Sequence, residues 1–198
     1  DFQFLAISYK LIVVKYLQAA VICNQQYRHP DRRCLKLIPI ISFFGYSNSG
    51  KTTVVANLTK ILSGQGYRIA AIKHAAHGYD VDIPGKDSWQ LFNAGAQKVL
   101  VVGLESITTH ERIERDLSLQ SILDRLQADE NIDLILVEGF KNEPGPKIQV
   151  IRDQDAVFPD GDVDLIATVS DGPFRDDVPY YPYGQLELLA EFLAEKYL

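Results

Sequence analysis

Eight consecutive residues, Gly45-Tyr46-Ser47-Asn48-Ser49-Gly50-Lys51-Thr52, have the types and spacing needed to handle a polyphosphate. They match G-x-x-x-x-G-K-[ST], the Walker A pattern. Glycines let the backbone curl so that successive amides converge on an anion. A helix starting at the end of the loop adds the positive end of its dipole. The Lys51 ammonium reaches the outer phosphates, and the Thr52 hydroxyl suits Mg²⁺. The candidate nucleotide-binding residues are therefore Gly45, Tyr46, Ser47, Asn48, Ser49, Gly50, Lys51, Thr52 and the adjoining Thr53. A glycine turn with an exposed lysine is the bland reading of the same residues. Position 46 is Tyr, so the second-lysine variant of this loop is absent.

The elements around the loop are those such a site requires. Ile38 to Phe44 is a continuous apolar run, as expected of a strand buried on both faces. Val54, Val55, Leu58, Ile61 and Leu62 recur at helical spacing and stop near Gly64 and Gly66. Tyr67 to His74 reads as a second strand. It runs into residues 75–87, where His77, Asp80, Asp82, Lys86 and Asp87 crowd together. Loops at the carboxyl ends of strands are where α/β sheets bind ligands, and a mobile one can sense a γ-phosphate or its metal. The same residues also suit a solvated turn with Asp87 capping a helix over Ser88 to Ala94. His74 and His77 lack a metal-type spacing, so a hydrogen-bonding role fits His74 better.

Further along, Gln97 to Gly103 reads as a third strand, and Leu119, Ile122, Leu123 and Leu126 mark an amphipathic helix. Ile132 to Val137 is another buried strand, and it ends at Glu138. A carboxylate in that place completes many phosphate-loop sites by holding Mg²⁺ directly or through water; a capping role is the alternative. Lys147 to Arg152 alternates in strand fashion with a basic group at each end. Those groups fit either a phosphate-bearing partner or the ordinary charges of an edge strand. Asp164 to Val169 is a last strand leading to Asp171, which either accepts from the N1–H and amino group of guanine or is a turn residue. Tyr180 to Tyr183 reads as a packed loop before a closing helix striped by Leu186, Leu189, Leu193 and Tyr197.

Composition narrows the classes. The 198 residues suit one domain with an appendage, and hydrophobic and charged fractions of 46% and 23% are ordinary for a folded globular chain. A net charge of −6 disfavours a nucleic-acid partner. Cys23 and Cys34 form neither a disulfide framework nor a zinc pattern, which points to a reducing, cytoplasmic compartment. The apolar segment from Phe4 to Cys23 contains Lys10 and Lys15. Its apolar side chains favour membrane insertion by about 3 to 6 kcal/mol, and two central lysines oppose it by about 5 to 7. No membrane span is expected. Residues 1–36 read as an N-terminal extension, joined through the polar stretch Arg28 to Arg33 to a phosphate-loop domain over residues 37–198.

Three blocks together carry a resemblance: FFGYSNSGKTT (Phe43 to Thr53), IKHAAHGYDVDIPGKDSWQLFNAGA (Ile72 to Ala96) and LILVEGFKNEPGPKIQVIR (Leu134 to Arg152). They resemble the molybdopterin-guanine dinucleotide biosynthesis protein B (MobB) family over about the last four-fifths of the chain. The resemblance implies an α/β fold, a P-loop NTPase-like three-layer sandwich with a mostly parallel central sheet and flanking helices. It implies GTP and Mg²⁺ as ligands, slow GTP hydrolysis and a homodimer. The implied role is an adaptor beside the transferase that joins GMP to molybdopterin. By this likeness Lys73, His74, Asp80, Asp82, Lys86 and Asp87 match the family's loop, and Glu138, Gly139 and Lys141 its later block. The candidate catalytic groups are then Lys51, Asp87 and Glu138; the candidate metal ligands are Thr52, Asp82 and Glu138; His74 and Asp171 join the nucleotide contacts. From the residues alone, a small-metabolite kinase and a metallochaperone GTPase remain alternatives. A kinase needs an arginine-rich lid, for which Arg112, Arg115 and Arg125 are the candidates. A metallochaperone needs a Cys/His cluster, and both cysteines lie in the extension.

Overall fold

The apolar runs at Ile40–Phe44 and Leu134–Glu138 become neighbouring parallel strands buried on both faces. A computed structural model of the chain describes residues 38–75, 78–79, 82–114, 117–126, 131–140, 142–152 and 164–198. The extension, His77, Asp80, Arg115 and Lys141 lie outside the described residues. Six strands form one sheet in the order β2-β5-β1-β6-β7-β8: β2 Ile69–Lys73, β5 Leu134–Glu138, β1 Ile40–Phe44, β6 Lys147–Val150, β7 Leu165–Val169 and β8 Tyr180–Tyr181. Every pairing in it is parallel.

Side-chain alternation sorts the core into two layers. On one face Ile41, Phe43, Leu134, Leu136, Ile148 and Val150 pack with helix α1 (Lys51–Gly64) and helix α4 (Leu186–Tyr197) through Val54, Leu58, Leu62, Leu189 and Leu193. On the other face Ile135 and Val137 meet Leu119 and Leu123 of helix α3 (Leu119–Leu126). Helices thus cover both faces of a parallel sheet, as expected for strands without a solvent face. Tyr180–Tyr181, read from sequence as loop, adds a two-residue strand to the sheet.

Two expectations change. The run from Gln97 is a strand, β3 (Lys98–Val102), but it stands outside the main sheet. It pairs antiparallel with β4 (Ile107–Glu111), which the apolar pattern did not reveal. Short helix α2 (Asp87–Asn93) backs this ribbon, and Phe92 stacks on His110 with ring centroids 3.5 Å apart. Secondly, β6 lies between β1 and β7 rather than at an edge, and all four of its residues are buried. Lys147 therefore faces neither solvent nor a partner: its ammonium donates to the Glu143 carbonyl, and burial pushes its pKa down despite Asp164 and Glu143.

Candidate functional site: the phosphate loop

The chain leaves β1 at the middle of the sheet and turns over its carboxyl edge, the position where open α/β sheets bind ligands. Gly45 has φ +154°, and a Cβ placed on it would lie 2.3 Å from the Val150 carbonyl oxygen. Only glycine lets the loop lie this close on the end of β6. Asn48 and Gly50 take positive φ values of 62° and 92°, which curl the segment. Gly50 is also the N-cap of α1 and brings no side-chain cap. The first-turn amides of α1 have no partner within the helix and are the donors an anion needs. From the far end of the chain, the Tyr183 hydroxyl donates to the Ser49 carbonyl at 2.7 Å, and its ring lies against Gly50.

A cavity of about 460 Å³ opens here, lined by Ser47, Asn48, Gly50, Lys51, Thr52, Thr53, Lys73, Glu138 and Arg152. Three cationic side chains face one carboxylate in a chain whose overall charge is −6. The Lys51 ammonium donates to the carbonyls of Gly45, at 3.1 Å, and Tyr46. Burial lowers its pKa below the ordinary lysine value; Glu138 opposes that shift, and Lys73 adds to it. The Thr52 hydroxyl sits 2.8 and 2.9 Å from the two Glu138 carboxylate oxygens. Lys73 donates to Thr52 Oγ1 at 3.0 Å and to Glu138 Oε1 at 2.9 Å.

Strand register explains this cluster. Phe43, Glu138 and Lys73 are register partners across three adjacent strands, so Glu138 ends β5 beside Lys73 at the end of β2. The donor set at Thr52 and Glu138 is oxygen only, the chemistry that suits a hard cation such as Mg²⁺. Ser49 Oγ is buried without a hydrogen-bond partner, a further polar atom of the loop left to satisfy. Arg152 approaches from the end of β6, its guanidinium carbon 5.7 Å from the Tyr183 ring centroid.

The other sequence candidates are placed elsewhere. Asp82 lines a separate cavity of about 200 Å³ with Ser88, Val99, Val101, Thr108 and His110, and its Oδ1 accepts from the Ile83 amide. Asp87 begins α2, in the first turn after Lys86 at the N-cap. His74 stacks on Phe140, centroids 4.4 Å apart, and its amide donates to the Glu138 carbonyl. Asp171 is exposed just beyond β7. None of these four lines the phosphate-loop cavity. Sequence reasoning missed Tyr183, which lies in a tyrosine cluster with no nucleotide signature, and it left the role of Arg152 open.

A glycine-framed loop between β1 and α1, with the strand-end carboxylate of β5 beside its threonine, defines a P-loop protein of the α/β class. The family model described as "Molybdopterin guanine dinucleotide synthesis protein B" matches residues 40–171. A molybdopterin-guanine dinucleotide biosynthesis adapter protein of Escherichia coli is 38% identical over 164 residues, covering 80% of this chain and 93% of the relative. The corresponding adapter of Haemophilus influenzae is 34% identical over 158 residues, covering 79% of this chain and 88% of the relative. Among solved structures, the crystal structure of Bacillus subtilis MobB superposes with a TM-score of 0.67 at 25% identity, covering 81% of this chain and 99% of that one. A crystal structure of molybdopterin-guanine biosynthesis protein B gives 0.64 at 28% identity, covering 79% and 97%. The chain belongs to the MobB family.

Proposed function

We propose that the chain is a GTP-binding adaptor that assists the transferase attaching GMP to molybdopterin, and that it hydrolyses GTP only slowly on its own. The observation that carries the reading is the cavity in which Lys51 and Arg152 stand with the amides of a glycine loop, an anion site in an anionic chain. The curated relatives are themselves named as adapter proteins of molybdopterin-guanine dinucleotide biosynthesis.

The residues have separable tasks. The loop amides and Lys51 bind the phosphates. Thr52 and Glu138 would hold Mg²⁺, which would supply positive charge against the phosphates. Arg152 adds a planar, always-charged group at the rim of the cavity. Asp87 and Asp82 lie on the segment after β2 and belong to a sensing role rather than to the phosphate cavity. Asp171 lies beyond a late strand, where the base would be read. The working compartment proposed is the cytoplasm, to which the cysteine usage points.

Two of the three arginines that a kinase lid would use are engaged elsewhere, and the third, Arg115, lies outside the described residues. Arg112 donates to the Phe92 and Ala96 carbonyls, and Arg125 pairs with Glu111 at 3.4 Å, so both support the ribbon.

We infer that the adaptor is a homodimer closed through the β3–β4 ribbon. One face of the ribbon packs toward α2 through Val99 and His110. The opposite face presents Leu100, Val102 and Ile107, 56%, 70% and 65% exposed, with Leu104 at the turn. An isolated two-stranded ribbon is only marginally stable, and a second copy would cover this face.

The direct test is reconstitution: transferase, molybdopterin and GTP with and without this protein, reading dinucleotide yield. An increase is expected; no change with rapid phosphorylation of another metabolite would restore the kinase reading. In a parallel titration GTP binds more tightly than ATP. Lys51→Ala abolishes nucleotide binding while circular dichroism stays that of the wild type; unchanged affinity would remove the loop assignment.

A further inference from the structure

We propose that Lys73 is an internal cation for the metal position of the phosphate loop, filling it before a metal–nucleotide complex arrives and ceding it afterwards. The inference rests on the nucleotide reading above and adds a role for a residue outside the Walker pattern.

The ammonium of Lys73 contacts the two oxygen groups that a magnesium ion would use, Thr52 Oγ1 at 3.0 Å and Glu138 Oε1 at 2.9 Å. The contacts are charge-assisted on the Glu138 side, the stronger kind of hydrogen bond. The two partners differ in freedom. The Glu138 side chain is 13% exposed and fixed at the end of a central strand, whereas that of Lys73 is 59% exposed at the end of β2, an edge of the sheet. Lys73 has a flexible four-carbon stem with a compact charge at its tip. It can therefore leave for solvent while Glu138 stays. A divalent ion on the same two oxygens would lie close to the ammonium, and their mutual repulsion grows as the distance falls. Occupation of the position by a divalent ion therefore weakens the hold of Lys73 on it.

The consequence is a two-state cation site. Without metal, Lys73 keeps Glu138 neutralised, so an incoming diphosphate does not meet a bare carboxylate. With metal, Lys73 swings out and contributes little, as exposed charges do.

The test measures GDP affinity by calorimetry in Mg²⁺ and in EDTA, for the wild type, Lys73→Met and Lys73→Arg, each checked for folding by circular dichroism. The expected result is that Lys73→Met loses about tenfold or more in EDTA, the worth of a charge-assisted contact, and changes little in Mg²⁺. The ratio of the two affinities then rises about tenfold, while Lys73→Arg keeps the wild-type ratio. Equal weakening in both buffers would mean that Lys73 is a permanent phosphate ligand and would overturn the proposal. So would no change in either buffer, which is the behaviour of a surface ion pair. Failure of the wild type to bind GDP in both buffers would instead refute the nucleotide reading on which the proposal rests.

Discussion

In the proposed site Lys51 would meet a phosphate as an ammonium, and its surroundings make that ammonium harder to keep. Burial holds its pKa below 10.5, with Lys73 adding to the shift and Glu138 resisting it. A bound polyphosphate acts in the opposite direction and raises the pKa, so binding takes up a proton where free Lys51 is already neutral. Nucleotide affinity is then full below the lowered pKa of the free protein and falls as the pH climbs through it. Calorimetry across this alkaline range, in buffers of different ionisation enthalpy, checks both the fall and the proton uptake. Lys51→Arg, which stays charged throughout, removes the dependence. At this scale the loop was legible, because the motif itself states the chemistry of Lys51 and Thr52. The contact between Lys73 and Glu138 was not, since it depends on a register pairing between residues 65 apart in the chain. Lys147 misled for a related reason: a lysine at a strand end looks solvated until the strand order puts it inside.

Among the elements, the turn from β1 into α1 is the most constrained. Gly45→Ala sets a methyl 2.3 Å from the Val150 carbonyl oxygen, and backbone on both sides has little room to yield. The expected cost is about 2–4 kcal/mol in urea denaturation, together with weakened nucleotide binding as the loop lifts from β6. Tyr183→Phe leaves the core in place and removes the hydroxyl that meets the Ser49 carbonyl. It should cost about 1 kcal/mol. Strands β1, β5 and β7 and helices α1, α3 and α4 were readable because long apolar runs and helical spacing leave few alternatives. Strand β4 escaped because Ile107-Thr108-Thr109-His110-Glu111 contains one aliphatic residue and is paired on one side only. The sequence likewise grouped Asp82 with Thr52 and Glu138, whereas in the fold Asp82 shares a cavity with Val99 and His110.

For the whole molecule, the proposed dimer rests on the ribbon. If Leu100, Val102 and Ile107 meet a second copy, Val102→Glu combined with Ile107→Glu converts a dimer to a monomer in sedimentation equilibrium while the phosphate cavity still binds GTP. A wild type that sediments as a monomer would refute the dimer. The order of strands carries one more implication. Strand β1 is flanked by β5 and β6, which begin at Leu134 and Lys147, and Tyr183 reaches the loop from later still. A nascent polypeptide that had emerged only as far as α3 would hold every residue of the Walker motif with neither neighbour for the strand that launches it. The proposed nucleotide site is thus completed late in synthesis, through contacts of high sequence separation, which form slowly. Ligand added during refolding should therefore protect the native state without hastening the early steps that build it.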